Sequence, residues 1–185
     1  MEIEERAFVD SLPKVAEKLE RRDYEKEGEY EIIDRYYCRE HVDSMEEVAM
    51  DEPGSYGLRI REARGEVELN CKVIENQGDH NAFLEYETEV DSAEEMHQLL
   101  EAVGFKNFCT VRKKRTEYVS PGGDITVNLE DLEDFAPVIE LEIIAEEDIE
   151  EKKQLNRELL YDLGVEDEEI IDKSITLLYF RENAF

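Results

Sequence analysis

Three shortages in this sequence each remove a class of protein. Cys38, Cys71 and Cys109 are odd in number, widely spaced and without a C-x-x-C pair. That argues against a disulfide framework or a zinc site and fits reduced thiols in a cytoplasmic protein. Basic residues are also scarce, with 22 Lys and Arg against 51 Asp and Glu and a formal net charge of −29. A bulk surface of that sign repels nucleic acid and anionic membranes, and a saline cytoplasm would screen its self-repulsion. Long apolar runs are missing too: none reaches the roughly 18 residues that suggest a membrane-spanning helix. No signal-peptide pattern is present, so the expectation is a soluble cytoplasmic chain. The motifs G-x-x-x-x-G-K-[ST], G-x-S-x-G and H-E-x-x-H are absent, and His41, His80 and His97 fall in loop or helix contexts without a catalytic pattern. What is present suffices for a core. The 185 residues are 41% hydrophobic, which fits one domain over residues 1–185.

Alternation and capping signals divide the chain into strands and helices. Glu2 to Arg6 reads as a strand, with Glu2, Glu4 and Arg6 on one face. Ser11 then caps a helix whose stripe is Leu12, Val15, Ala16 and Leu19, with Pro13 in its first turn. The polar run Glu20 to Glu29 reads as a connection and Tyr30 to Tyr37 as a strand. A loop from His41 closes at Pro53-Gly54. Tyr56 to Arg64 and Glu66 to Val73 form a hairpin about Arg64-Gly65. Phe83 to Val90 is a strand, and Asp91 or Ser92 then caps a helix, Ser92-x-x-Glu95 fitting a capping box and Met96, Leu99, Leu100 and Val103 forming its stripe. Phe108 to Tyr118, Ile125 to Leu129 and Val138 to Ile144 complete the strands. A helix from about Asp148 to Leu163 and a last segment capped by Ser174, packing Leu177, Leu178 and Phe180, close the chain. An E-x-E strand leads into a helix three times, at Glu2/Glu4, Glu85/Glu87 and Glu140/Glu142.

The charges on these strands sort by face. The acids are Glu2, Glu4, Glu85, Glu87, Glu140 and Glu142, and the bases Arg6, Arg59, Arg61, Lys72, Lys113 and Arg115. Each lies opposite a mostly apolar face. An antiparallel sheet with a solvated, salt-bridged outer face is one reading. A sheet closed into a barrel is the other, its apolar face turned out to the helices and its charged face lining a tunnel. The helical stripes need a surface to pack on, which favours the tunnel. Bases from several strands suit the oxygens of a triphosphate, carboxylates suit Mg²⁺ or Mn²⁺, and such a site needs no protein nucleophile.

With its motifs in order, the chain resembles the CYTH family of triphosphate tunnel enzymes, which includes class IV adenylate cyclases and thiamine or inorganic triphosphatases. The likeness runs from Glu2-x-Glu4-x-Arg6 through Asp34-Arg35-Tyr36-Tyr37, Leu58-Arg59-Ile60-Arg61, Leu69-Asn70-Cys71-Lys72 and Val111-Arg112-Lys113-Lys114-Arg115 to Leu129–Glu142. The closing Leu163-Gly164 and Ser174 to Leu178 are similar to the cyclase-like branch. The resemblance implies an α+β fold, an antiparallel β-barrel tunnel with a charged interior and helices outside. It implies phosphate binding by Arg59, Arg61, Lys72, Lys113 and Arg115, and Mg²⁺ or Mn²⁺ on Glu2, Glu4, Glu140, Glu142 and Glu130. Arg6 takes the catalytic Lys position, and Glu85 and Glu87 are further tunnel acids. The implied substrate is ATP, tripolyphosphate or thiamine triphosphate, cyclised or hydrolysed, or bound without turnover; related proteins suggest a homodimer. Arg6 replaces the family's Lys, Glu130 its Asp, Ala136-Pro137 its Gly-containing turn and Ile175 its Tyr.

Overall fold

A computed structural model describes residues 2–44, 56–74, 83–144, 148–171 and 175–184. The Pro53-Gly54 turn, His80 and the Ser174 cap lie outside them. In chain order the elements are β1 (Glu2–Phe8), α1 (Leu12–Glu20), β2 (Glu25–Arg39), β3 (Tyr56–Ala63), β4 (Glu66–Ile74), β5 (Phe83–Glu89), α2 (Ala93–Ala102), β6 (Phe105–Val119), β7 (Thr126–Leu132), β8 (Val138–Ile144), α3 (Ile149–Asp162) and α4 (Ile175–Asn183). The class is α+β. The strands form an antiparallel eight-stranded sheet in the order β1-β8-β7-β6-β2-β3-β4-β5. The chain divides into two compact units, residues 1–30 with 113–172 and residues 31–112 with 173–185.

In the first unit, period-two alternation separates an apolar face from a charged one. Ala7, Val127, Leu129, Ile139, Leu141 and Ile143 supply the apolar face and bury against Val15 and Leu19 of α1 and Leu160 of α3. Helix α1 packs on β7, and α3 on β1 and β8. Leu19, Val127, Ile139, Leu141 and Leu160 are fully buried, each contributing about 1.5–3 kcal/mol by removal from water. Ser11 has the extended backbone of an N-cap without a side-chain capping bond, and Pro follows in the first turn of α1. Helix α3 stops at Gly164, whose φ of 89° is open to glycine. There Val165 N–H donates to Leu160 O at 3.0 Å and Gly164 N–H to Tyr161 O at 2.9 Å. This is the paired bonding that satisfies the last carbonyls of a helix.

In the second unit, Tyr37, Ile60 and Leu100 are buried together with Leu58, Leu69, Met96 and Phe105, so α2 covers the apolar face of β3 and β4. Ser92 Oγ accepts from Glu95 N–H at 3.2 Å, the N-cap expected there. Of the expected stripe, Leu100 is buried whereas Leu99 and Val103 are 53% and 56% exposed. The hairpin between β3 and β4 turns through Arg64 and Gly65, both at positive φ, the geometry that matches the twist of its strands. Phe180 of α4 is fully buried, edge-on to Tyr36 at 4.7 Å and to Phe108 at 4.9 Å.

Strand β2 begins at Glu25, inside the run expected to be a connection. Its first residues are charged on both faces, so they carry no alternation. Lys26 pairs with Glu29 at 2.7 Å, and Lys114 also reaches Glu29.

Candidate functional site

The charged face of the first unit is built by register. Along one row Arg6 of β1 lies opposite Glu140 of β8, which lies opposite Asn128 of β7, opposite Glu117 of β6. Along a second, Glu4 is opposite Glu142 and Glu142 opposite Thr126. Along a third, Glu130 lies opposite Arg115 on one side and Val138 on the other. Because paired residues point the same way, these side chains share one face.

Three carboxylates meet there. Oxygens of Glu4, Glu140 and Glu142 all lie within 4.8 Å of one another, close enough to share one hard cation. Arg6 stands among them: it pairs with Glu4, and its Nε donates to Glu140 Oε2 at 2.7 Å. Arg6 is 6% exposed and Glu4 7%, so solvent does little to weaken the pairing. Arg115 Nη2 lies 3.4 Å from the other oxygen of Glu140. Burial pushes the Glu140 carboxyl up, but Arg6, Arg115 and Lys113 outweigh it and hold the group well below the usual carboxylate range.

Glu130 is tied to bases. Its Oε1 accepts from Lys113 Nζ at 2.6 Å and from Arg115 Nε and Nη2 at 2.8 and 2.5 Å. It is 1% exposed. Burial acts upward on its carboxyl, and Lys113 and Arg115 bring it below its ordinary value. Burial likewise works against the Arg115 charge, and Glu130 and Glu140 raise its affinity for the proton above the ordinary value. Glu2 pairs by its backbone with Ile144.

The second unit carries its own charged face. Asp34, 1% exposed, accepts from Arg61 Nε and Nη2 at 2.7 and 2.8 Å, and Arg59 Nη1 lies 3.9 Å away. Arg59 also donates to Tyr36 Oη at 3.3 Å. Its Nε is buried with no hydrogen-bond partner. Lys72 lies 3.4 Å from Glu85, which also accepts from the buried Asn70. Burial pushes Glu85 up, while Lys72, Asn70 and Arg59 bring it below its ordinary value. Glu87 lies opposite Asn70 in the ladder and is exposed.

The structure therefore brings Glu4, Arg6, Glu140 and Glu142 together and joins Lys113 and Arg115 to Glu130. In the second unit it gathers Arg59 and Arg61 at Asp34, and Lys72 with Glu85. Residues without an assigned role in the sequence also stand on these faces, Asp34 and Asn128 among them. Asp34 anchors both arginines, and its place in the quoted Asp34-Arg35-Tyr36-Tyr37 strand was the available signal. Asn128 sits two residues before Glu130 and so shares its face, and as a neutral amide it adds nothing to the charge pattern of the strand.

In the first unit the three carboxylates could hold one small cation, and in the second the buried Nε–H of Arg59 has no hydrogen-bond partner. Solved structures agree in architecture. The PH1819 protein of Pyrococcus horikoshii OT3 is 26% identical, with a TM-score of 0.77 over 98% of this chain and 99% of its own. A Vibrio parahaemolyticus protein proposed to be an adenylate cyclase has the same fold at 16% identity, with a TM-score of 0.77 over 96% and 97% of the two chains. So does the Hippeastrum protein HpAC1, at 18% identity and a TM-score of 0.67 over 98% and 96%. HpAC1 was proposed to be an adenylyl cyclase and reveals a dominant triphosphatase activity. No curated protein matches the chain. The CYTH domain matches residues 1–175, and the chain belongs to the CYTH domain family.

Proposed function

We propose that the chain is a divalent-metal-dependent enzyme acting on the triphosphate of a nucleotide or related compound. In this reading its sheet closes into the β-barrel tunnel of the family, as one domain over residues 1–185. The observation that carries the reading is the group of Glu4, Glu140 and Glu142, with ligand oxygens within 4.8 Å. All-oxygen donors fit Mg²⁺ or Mn²⁺. These three would hold the ion, with Glu2 alongside, and Glu130 would join only on releasing Lys113 and Arg115. When bound, the ion supplies neutralisation of phosphate charge and polarisation of a phosphoryl oxygen.

The chain's own residues do the rest by position and charge. Arg59, Arg61, Lys72, Lys113 and Arg115 are proposed to hold phosphate oxygens, and the unpartnered buried Nε–H of Arg59 supports that role. Asp34 and Glu130 orient these bases. A guanidinium offers hydrogen-bond donors and no acceptor, so Arg6 is not assigned as a general base. Its proposed role is to set the geometry of Glu4 and Glu140 and to stabilise charge at the reacting phosphate.

Likeness to the class IV adenylate cyclase-like branch leads to cyclisation. The ribose 3′-oxygen attacks the α-phosphorus, the bond to the α–β bridging oxygen breaks, and pyrophosphate leaves as the hydroxyl proton passes to solvent. The activity of HpAC1 favours a second reading, hydrolysis of inorganic or thiamine triphosphate, which asks nothing of a nucleoside. Product analysis after incubation with Mg²⁺ or Mn²⁺ and ATP, tripolyphosphate or thiamine triphosphate separates them. Cyclic AMP with pyrophosphate supports cyclisation and orthophosphate supports hydrolysis. Binding of tripolyphosphate without any product would show a binding protein and refute the enzyme reading.

A further inference from the structure

Asn128 is the buried polar group on the charged face of the first unit for which the proposed reading has no use. It is 0% exposed, and neither Oδ1 nor Nδ2 has a hydrogen-bond partner. An amide buried in that way is destabilising, and native proteins rarely keep one without a role. Its direction is given by the sheet. Val127 and Leu129 on either side of it point into the apolar core, so Asn128 points the opposite way. It is directly paired with Glu140 on β8 and Glu117 on β6, and Glu140 belongs to the three-carboxylate group. Opposed side chains on neighbouring strands start about 4.5–5.5 Å apart.

We propose that Asn128 is a further ligand residue. Its amide oxygen serves the divalent cation held by Glu4, Glu140 and Glu142, either directly or by accepting from a water bound to that ion. This rests on the proposed metal-binding reading and deepens it. Carboxylates on both sides favour a cation over a phosphate as the group the amide meets. A neutral oxygen also lets the cluster take an additional donor without a further negative charge to desolvate.

The test is Mn²⁺ binding to the full-length protein, followed by electron paramagnetic resonance, with thermal melting of the metal-free protein alongside. Asn128→Leu keeps the volume and removes both polar atoms. The expected result is Mn²⁺ affinity weakened by about tenfold or more, as for other residues that orient or supplement metal ligands. The metal-free protein should meanwhile melt about 2–4 °C higher, because an unsatisfied group is gone. Asn128→Asp keeps the oxygen and should bind Mn²⁺ at least as well as the parent. If Asn128→Leu binds Mn²⁺ with unchanged affinity while Glu142→Gln loses it, the metal site stands and the role of Asn128 is overturned. Weaker binding of metal-free tripolyphosphate, with unchanged Mn²⁺ binding, would assign the amide to the phosphate and overturn it as well. If the parent itself binds no Mn²⁺, the metal reading fails and takes this inference with it.

Discussion

Replacing Glu130 by Gln removes one negative charge from the middle of a buried network and leaves the shape nearly unchanged. Glu130 Oε1 receives Lys113 Nζ at 2.6 Å and Arg115 at 2.8 and 2.5 Å. Taking away one partner of a buried ion pair costs about 3–5 kcal/mol, mostly because a charge remains uncompensated. Arg115 keeps Glu140 at 3.4 Å and Gln can still accept a hydrogen bond, so the lower end, about 3 kcal/mol, is expected here. For a chain of this size that corresponds to a fall in Tm of about 6–12 °C. The assay is thermal melting by circular dichroism, repeated down a pH series. The sign follows from the direction of the shift: the Glu130 carboxyl is held below its ordinary value in the folded protein. Its stabilisation is therefore complete above the unfolded glutamate range, near pH 4.3, and is lost as pH falls through the folded value. The gap between parent and variant should be widest near pH 7 and close on acidification. Tripolyphosphate should recover part of the lost stability by supplying the missing anion to Lys113 and Arg115. A variant melting within about 2 °C of the parent at pH 7, or a gap that widens in acid, would refute the argument.

Asp34→Asn should lower the urea-unfolding free energy by about 3–5 kcal/mol, because a buried anion between two arginines is lost. Glu62→Gln, which breaks the partly exposed Arg35 pair, should change it by less than about 1 kcal/mol; equal effects would contradict the burial argument. Glu4→Gln and Glu142→Gln should abolish metal-dependent turnover with the fold retained by circular dichroism, and full activity in both would remove them from the ligand set. Lys113→Ala should weaken tripolyphosphate binding, measured calorimetrically, more than it lowers Tm; unchanged affinity would dismiss that base. Raising salt from 0.1 to 1 M shortens the screening length from about 10 to about 3 Å, so a chain with net charge −29 should melt at higher temperature, and a flat or falling Tm would show that self-repulsion is not limiting.

Alternation is a local property of a strand, and that is why so much of the charged face was legible in the chain. Glu4 and Arg6, Glu140 and Glu142, Lys113 and Arg115 each sit two residues apart, and any extended backbone turns them the same way. The helix stop at Gly164 and the turn at Arg64-Gly65 are local for the same reason. The polar start of β2 was hidden because charge on both faces leaves no alternation to read. Pairing across strands is a different kind of fact. Arg6 meets Glu140 across 134 residues only because the strand order sets β1 against β8, and no spacing along the chain encodes that neighbour. The same order gives Glu130 to Lys113 and Arg115, makes Asp34 the anchor of Arg59 and Arg61, and leaves the Asn128 amide buried without a partner. Strand faces follow from backbone geometry within a few residues, whereas charge partners follow from register, which only the assembled sheet sets.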